Sequence, residues 1–311
     1  MINVAVLGST GVIGSDLVSR LRNTPQLNVC AVPRRVNKVE NIYERSKFLD
    51  QSYDLILNCA GIGDPETIRR EPIPTVKSHF DSWNFINSYL DYNTRRSPPV
   101  CVFISSGAIF NEGIESHGSQ LEEVSFNLAK LNGFDSYRMI KLLIESLNRS
   151  RSDAPIIDLR VFVYVTPNFR LDSNFFLSQL FRATKNREIF HTSPKNFVRD
   201  YVDGDDIYEF LIRILNNEFS AGALNLISNA PTTKFEILEV FRHNYGLKYR
   251  IDVAGDLAVN DLSVHANELT LPMYGLDENV YLCSKRSIEN ILNCYSRFYQ
   301  KVKINKDDAS E

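Results

Sequence analysis

Short β-branched apolar runs alternate with longer amphipathic stretches through the first half of the chain. Met1–Gly8, Leu27–Val32, Tyr53–Gly61, Pro99–Ser106 and Ile156–Val165 are such runs. Each has the length and residue types of a strand buried on both faces. Between them the apolar positions recur at helical spacing. In residues 12–22, Ile13, Leu17 and Leu21 share one face, and helices are also predicted over 78–91 and 136–149. Strand and helix in strict alternation predict an α/β fold with a doubly wound parallel sheet. Ala223–Ser228 adds one more strand. The tail beyond it is mixed and more polar. Its end, Lys303–Glu311, is polar enough to be expected disordered.

At 311 residues the chain exceeds the comfortable size of a single core, so one large or two closely joined domains are expected. Residues 1–165 and 198–229 are assigned to the sheet domain. Residues 166–197 and 230–311 are assigned to a smaller, mainly C-terminal α/β domain for the substrate. With 43% hydrophobic residues and a net charge of −3, nothing invites nucleic acid or an anionic membrane. No apolar run reaches the roughly 20 residues of a membrane helix. Residues 1–7 lead straight into a strand with no basic leader, so a cytoplasmic protein is expected. The five cysteines are scattered, Cys30, Cys59 and Cys101 within apolar runs, which predicts buried thiols. The five histidines (79, 117, 191, 243 and 265) have no metal-like spacing. No metal is expected.

The segment LGSTGVIGSDL sets Gly8, Gly11 and Gly14 three apart, between the first strand and the first helix. Glycine weakens helices, so this placement serves something else. In a strand–turn–helix unit such glycines make the tight turn, admit backbone to a pyrophosphate and let the helix approach the sheet. The helix N-terminus favours the anion. Thr10, Val12 and Ile13 belong to the same turn. The second strand ends in Val32-Pro33-Arg34-Arg35, with no acid to hold a ribose 2′-hydroxyl. Arginine pairs with a 2′-phosphate through its planar fork, so NADP(H) is favoured over NAD(H). In SYRMIK, residues 136–141, Tyr137 and Lys141 lie four apart on one helix face. An ammonium near a phenol favours phenolate, and such a tyrosine can exchange a proton with a carbonyl or hydroxyl oxygen.

With these segments in this order, the chain resembles the extended branch of the short-chain dehydrogenase/reductase superfamily, the NAD-dependent epimerase/dehydratase family that modifies sugar nucleotides. GSTGVIGS matches that branch's glycine turn. DLILNCAG (residues 54–61) matches its fourth strand, although the pattern here counts it third. FISSGAIFN (103–111) matches the segment with the catalytic serine, YRMIK the tyrosine–lysine pair, LRVFVYVTP (159–167) the strand leading to the substrate domain, and RDYVDGDDI (199–207) a block after it. Residues 282–292 resemble the C-terminal helix segment. The resemblance implies a Rossmann sheet and a Ser106–Tyr137–Lys141 centre. Ser106 steadies the reacting oxygen, with Ser105 as a neighbouring alternative. Tyr137 is the acid/base. Lys141 holds the nicotinamide ribose and tunes Tyr137. Cys59, Ala60, Gly61 and Ser105 line the cofactor, and Arg199 takes the substrate's diphosphate, unless it is a structural ion pair with Asp200 or Asp203.

Several positions depart from the family pattern. Phe110 stands for tyrosine, Asn111 and Thr166 for glycines, and Ser78 for a frequent asparagine. The stretch between the second strand and Tyr53 is short, as in some sugar-nucleotide ketoreductases. Gly107 and Ala108 replace the Asp-Glu pair of the 4,6-dehydratases, which argues against dehydration. The arginines favour an NADPH-dependent ketoreductase acting on a nucleotide-linked deoxysugar. The alternative is an NAD-dependent epimerase. A cofactor sensor without turnover generally loses the tyrosine or lysine, and both are kept here. The resemblance also implies a homodimer formed through helices 78–91 and 136–149, with Trp83 in core or interface.

Overall fold

The computed structural model describes residues 1–33, 48–93, 97–110, 126, 129, 131–168, 173, 175–216, 218, 220–252 and 279–307. Its centre is a seven-stranded, wholly parallel sheet. The strands are β1 (Ile2–Leu7), β2 (Leu27–Val32), β3 (Leu55–Asn58), β4 (Val100–Ser106), β5 (Ile156–Val161), β10 (Gly222–Ile227) and β13 (Val280–Leu282). They lie in the order β13-β10-β5-β4-β3-β1-β2. β1 sits between β2 and β3, with Val4 opposite both Val29 and Leu55. The order reverses beside β1, and in open α/β sheets ligands gather at the carboxyl ends of strands at such a point.

Alternation along the strands divides the core in two, because successive side chains point to opposite faces. Val4, Val6, Leu55, Leu57, Val102 and Leu159 pack on one face with α1 (Val12–Arg22) and α6 (Gly204–Leu215). Ala5, Leu7, Ile56, Cys101 and Phe103 point the other way, onto α3 (Pro72–Tyr92) and α4 (Gly133–Arg149). A third core lies outside the sheet. It joins Leu180 and Phe181 of α5 (Phe176–Asn186), Ile237 and Phe241 of α7 (Lys234–Tyr245), and Ile291, Tyr295 and Phe298 of α8 (Ser287–Asp307). Phe181 is fully buried there, 4.9 Å from the Tyr295 ring and 5.8 Å from Phe241.

The main differences from expectation are local. Residues 156–165 form two strands, because Phe162 interrupts β5 before β6 (Val163–Tyr164), and β6 leaves the sheet to pair with β9 (Tyr201–Val202). The helix expected from residue 78 begins at Pro72, with proline in its first turn, where a missing N–H costs nothing. Before it, α2 (Pro65–Arg70) is capped by the Asp64 side chain on Thr67 N. The helix expected from 136 begins at Gly133 through a capping box between Asn132 and Asp135. Lys303–Asp307, expected disordered, continue α8. Residues 308–311 lie outside the described residues. So do Arg34, Arg35 and Asn111, and any short strand between β2 and β3 that the family count calls for. The remaining small elements, β7 (Ile189–Thr192), β8 (Val198–Arg199), β11 (Thr232–Thr233) and β12 (Lys248–Ile251), form two further two-stranded sheets.

Phe181→Ala removes the ring around which the third core is built. Such a truncation costs about 3–5 kcal/mol when neighbours cannot close the gap, and a urea unfolding curve of the variant should show a loss of that size.

Candidate active site

The glycine turn closes against the end of β3. Gly8 has φ 73°, a conformation glycine adopts without strain, and a Cβ there would lie 2.7 Å from Ala60 N. A Cβ on Gly14 would fall 2.2 Å from the Gly8 carbonyl oxygen, so helix and turn touch at that point. Gly11 N–H donates to Gly8 O at 2.8 Å, and Gly11 is the N-cap of α1 with no side chain to satisfy the helix's free amides. No acid lies in the first turn, Thr10 and Val12 are exposed, and Ile13 is half-buried. An uncapped helix end without a nearby carboxylate, in a cradle that a side chain would fill, fits a dinucleotide's pyrophosphate. The adjoining wall is Cys59, Ala60 and Gly61, all partly exposed. Asn58 orders it, accepting from Ala60 N at 3.1 Å and donating to Ser82 Oγ at 3.2 Å.

Ser106, Tyr137 and Lys141 come together at the end of β4. Tyr137 is 7% exposed and hydrogen-bonded to Ser106. Burial pushes its phenol up, and the Ser106 contact pulls it partly back. Lys141 Nζ lies 5.7 Å from the centre of the Tyr137 ring and donates to Ile104 O at 2.7 Å. Burial lowers its pKa to about 8, while the charges of Glu145 and Asp158 and the Cys59 thiol resist that fall. His79 of α3 is buried with its ring edge-on to Tyr137, 5.5 Å between centres, and its Nε2 is 3.1 Å from Ile62 O.

The two serines separate cleanly. Ser106 Oγ accepts from Ala108 N at 3.1 Å and faces Tyr137. Ser105 turns the other way and donates to Glu145 Oε1 at 2.6 Å. Its hydroxyl is therefore engaged inside the protein and leaves only the backbone of Ser105 for a cofactor. Glu145 was not anticipated from the sequence. It is fully buried on α4, one turn beyond Lys141, and bound by Arg160 at 2.6 Å and Arg149 at 3.3 Å. Its signal was available, because Tyr137, Lys141 and Glu145 are spaced by four on one face. Asp158 is a second buried acid, accepting from Asn148 Nδ2 at 2.7 Å. Asn148 in turn accepts from Trp83 Nε1 at 2.9 Å, which places Trp83 in the core network.

Arg199 sits in β8, away from this triad in sequence, with its guanidinium 4.1 Å from the centre of the Phe197 ring. The two acids suspected as its structural partners also hold other contacts. Asp200 accepts from Ser228 Oγ at 2.6 Å and from Ser228 N, and Asp203 caps α6 while pairing with Lys285 at 2.6 Å. The acids of this block serve the scaffold. Among the described residues no cluster of three His, Cys, Asp or Glu could hold a metal ion, and no helix is long and apolar enough to cross a membrane.

A family model, "NAD dependent epimerase/dehydratase family", matches residues 4–226, the span that carries the glycine turn and the triad. The chain belongs to this NAD-dependent epimerase/dehydratase family. Solved structures share its fold over nearly their whole length. UDP-glucose 4-epimerase from Thermotoga maritima, with UDP-glucose, superposes with a TM-score of 0.71 at 16% identity, covering 97% of this chain and 100% of that one. MoeE5 in complex with UDP-glucose and NAD gives 0.69 at 18% identity, over 96% and 99%. RMD from Pseudomonas aeruginosa, complexed with NADPH, gives 0.68 at 17% identity, over 97% and 100%. No curated protein matches the chain significantly in sequence.

Asp158 gives this family member a distinct pH signature. Burial, and then the nearby Glu145 charge, raise its pKa to about 7, against 3.8 for the free side chain. A raised carboxyl pKa means that the folded state binds the proton more tightly, so the contribution to stability is full below the free value and is lost as pH rises towards 7. Asp158→Asn keeps an acceptor for Asn148 and removes this loss. In urea unfolding, the variant should gain stability relative to the parent at pH 8 but not at pH 4.

Proposed function

We propose that this protein is an oxidoreductase that reduces a keto group of a nucleotide-linked sugar with NADP(H). The observation that carries the reading is the Ser106–Tyr137 hydrogen bond with Lys141 beneath it. A bound nicotinamide supplies the hydride. Tyr137 donates a proton to the carbonyl oxygen, Ser106 holds that oxygen, and Lys141 grips the nicotinamide ribose. Burial keeps Tyr137 a phenol at rest, the form that a reduction consumes. Gly8, Thr10, Gly11, Val12, Ile13 and Gly14 receive the pyrophosphate, Cys59, Ala60 and Gly61 flank the nicotinamide side, and Arg34 and Arg35 take the 2′-phosphate. Arg199 takes the substrate's diphosphate through its planar fork. Residues 1–165 and 198–229, joined in the sheet by β13 from the C-terminal part, carry the cofactor, and 166–197 and the rest of 230–311 carry the substrate.

The family's description favours a second reading, an NAD-dependent sugar-nucleotide epimerase. The same three residues would then withdraw and return one proton. Dehydration is disfavoured under either reading. Gly107 and Ala108 form a buried turn, in which a Cβ on Gly107 would meet the Phe162 ring at 2.2 Å, so no acid–base pair is accommodated after Ser106.

Exposed apolar side chains on α3 and α4 support the homodimer. Ile73, Phe80, Met139 and Leu143 are 79, 41, 36 and 48% exposed. Burying such side chains between copies is favourable at about 25 cal/mol per Å².

Four measurements check these assignments. Tyr137→Phe should lower kcat by about 10²-fold or more while leaving dinucleotide binding unchanged, and full activity would overturn the role of Tyr137. Replacing Arg34 and Arg35 by alanine should weaken NADPH binding about tenfold or more and leave NADH binding alone. Stoichiometric NADPH oxidation by a keto-sugar nucleotide supports the reductase, and sugar interconversion without net cofactor turnover supports the epimerase. Phe80→Asp with Leu143→Glu should convert the dimer to monomer in light scattering.

A further inference from the structure

The chain turns sharply just after Ser106. Gly107–Ile109 make a single 3-10 turn, and all three residues are buried. The turn is tied internally, with Ala108 N donating to Ser106 Oγ at 3.1 Å and Phe110 N to Gly107 O at 3.2 Å. The carbonyls of Ala108 and Ile109 lie past the end of β4 and need donors, because a buried backbone oxygen left unpaired is costly. One side chain of α4 meets both. Arg138 Nε donates to Ala108 O at 3.0 Å and Nη2 to Ile109 O at 3.3 Å, while Nη1 pairs with Asp135 at 3.1 Å. Its side chain is 11% exposed, and its guanidinium lies 4.7 Å from the centre of the Phe126 ring. Arg138 is the residue directly after Tyr137.

We propose that Arg138 is a positioning residue, which staples the turn after Ser106 to the helix that carries Tyr137 and so sets the serine hydroxyl against the phenol.

The contacts form a short chain. Ser106 Oγ is held by Ala108 N, and Ala108 O is held by Arg138, so one residue of the turn joins serine to arginine. On the other side the turn is pressed by Phe162, just after β5, where a Cβ on Gly107 would meet the ring at 2.2 Å. Packing thus closes one side and hydrogen bonds draw the turn to α4 on the other. The guanidinium fork is planar and rigid, so it holds two successive carbonyls at once, whereas lysine offers a single point charge. Asp135 orients the fork. Its other oxygen accepts from Asn132 N at 2.9 Å in the capping box of α4. The helix start, the arginine and the turn therefore move as one unit. Such precision matters at a reacting centre, where a misplacement of about 1 Å can cost about 10²-fold in rate.

The inference rests on the proposed pairing of Ser106 with Tyr137, and its test separates the two. 3-Fluorotyrosine placed at position 137 of the full chain reports the surroundings of the phenol in a fluorine NMR spectrum. Ser106→Ala marks the signal of a phenol without its serine. Arg138→Met should move the signal towards that mark, and Arg138→Lys should return it part of the way to the parent. In the Ser106→Ala background, Arg138→Met should move it no further. With NADPH and a dTDP-linked 4-keto-6-deoxyhexose, Arg138→Met should lower kcat about tenfold. The double variant should stay within about twofold of Ser106→Ala, since independent losses would multiply. NADPH affinity should be unchanged, and its loss in Arg138→Met would overturn the proposal by placing the arginine's effect in the cofactor cleft. The fluorine signal decides whichever sugar the enzyme accepts. Should Arg138→Met fail to fold, Arg138→Gln, which keeps one amide donor, is read in its place. An unmoved signal in the folded arginine variant, or losses that multiply, overturns the proposal and leaves the serine–tyrosine pair standing. A Ser106→Ala signal identical to the parent's overturns the pair itself, and the proposal with it.

Discussion

The candidate site depends on keeping a charged lysine under a buried phenol. Lys141 and Tyr137 are each 7% exposed, so neither borrows much stability from water. Burial opposes both charged forms, moving the lysine down and the phenol up. The protein answers with fixed polar contacts. The helix lies against the strand so that each contact falls one turn from the next. A helix advances about 5.4 Å per turn and a strand about 3.3 Å per residue, so the match is met by interleaving, with Tyr137 on residue 106, Lys141 on 104 and Glu145 on 105. A rotation of α4 would break all three contacts together.

A second constraint ties the glycine turn to the rest of the molecule. Gly14 touches Gly8 because α1 is drawn close to the sheet, and α1 is held there from its outer side as well. Asp16 accepts from the Tyr164 hydroxyl at 2.5 Å, Arg20 pairs with Asp16 and Asp205, and Lys285 pairs with Asp203. This cluster joins the first helix to β6, to the start of α6 and to the segment before α8. Asp203 and Asp206 also form the capping box of α6, so one group of acids fixes the helix end and neutralises the cations. Position, rather than net stability, is what such a partly buried network secures, since each pair gives back much of its attraction in lost hydration.

Much of this was legible in the sequence. Six of the seven strands of the sheet declared themselves, because both of its faces are covered and each strand becomes an apolar run; β13, three residues long and ending where a helix segment was expected, did not. The glycine spacing, Ser106 and the Tyr137–Lys141 pair could be read because each requires a particular residue type. The elements that were missed lack such a signature. The two-residue strands β6 and β9 are too short for any period to show, and α2 is a single turn or so announced only by Asp64-Pro65. Glu145 and Asp158 were overlooked because charged residues are ordinarily solvated, on helices and strands alike. Their burial arises only when α4 settles on β4 and β5. The third core was equally hidden. Its residues are spread over 165–298, and only the fold brings Phe181, Phe241 and Tyr295 within about 6 Å of each other.

Ser106, Tyr137 and Lys141 can serve a reductase or an epimerase, and the physical difference between those reactions lies in the resting proton. Reduction begins with a phenol and spends its proton on the substrate oxygen. Epimerisation through transient oxidation begins by withdrawing a proton from a hydroxyl, so the tyrosine must first be made a phenolate. In this protein burial favours the phenol, and Ser106 offsets that preference only in part. The positive charge at Lys141 is spent on the Ile104 carbonyl and is balanced by buried acids, rather than being directed wholly at the phenol. The resting electrostatics therefore suit a proton donor. The arginines after the second strand, proposed above to take a 2′-phosphate, fit the same reading, because a reductase exchanges a spent cofactor for a fresh one at every turnover.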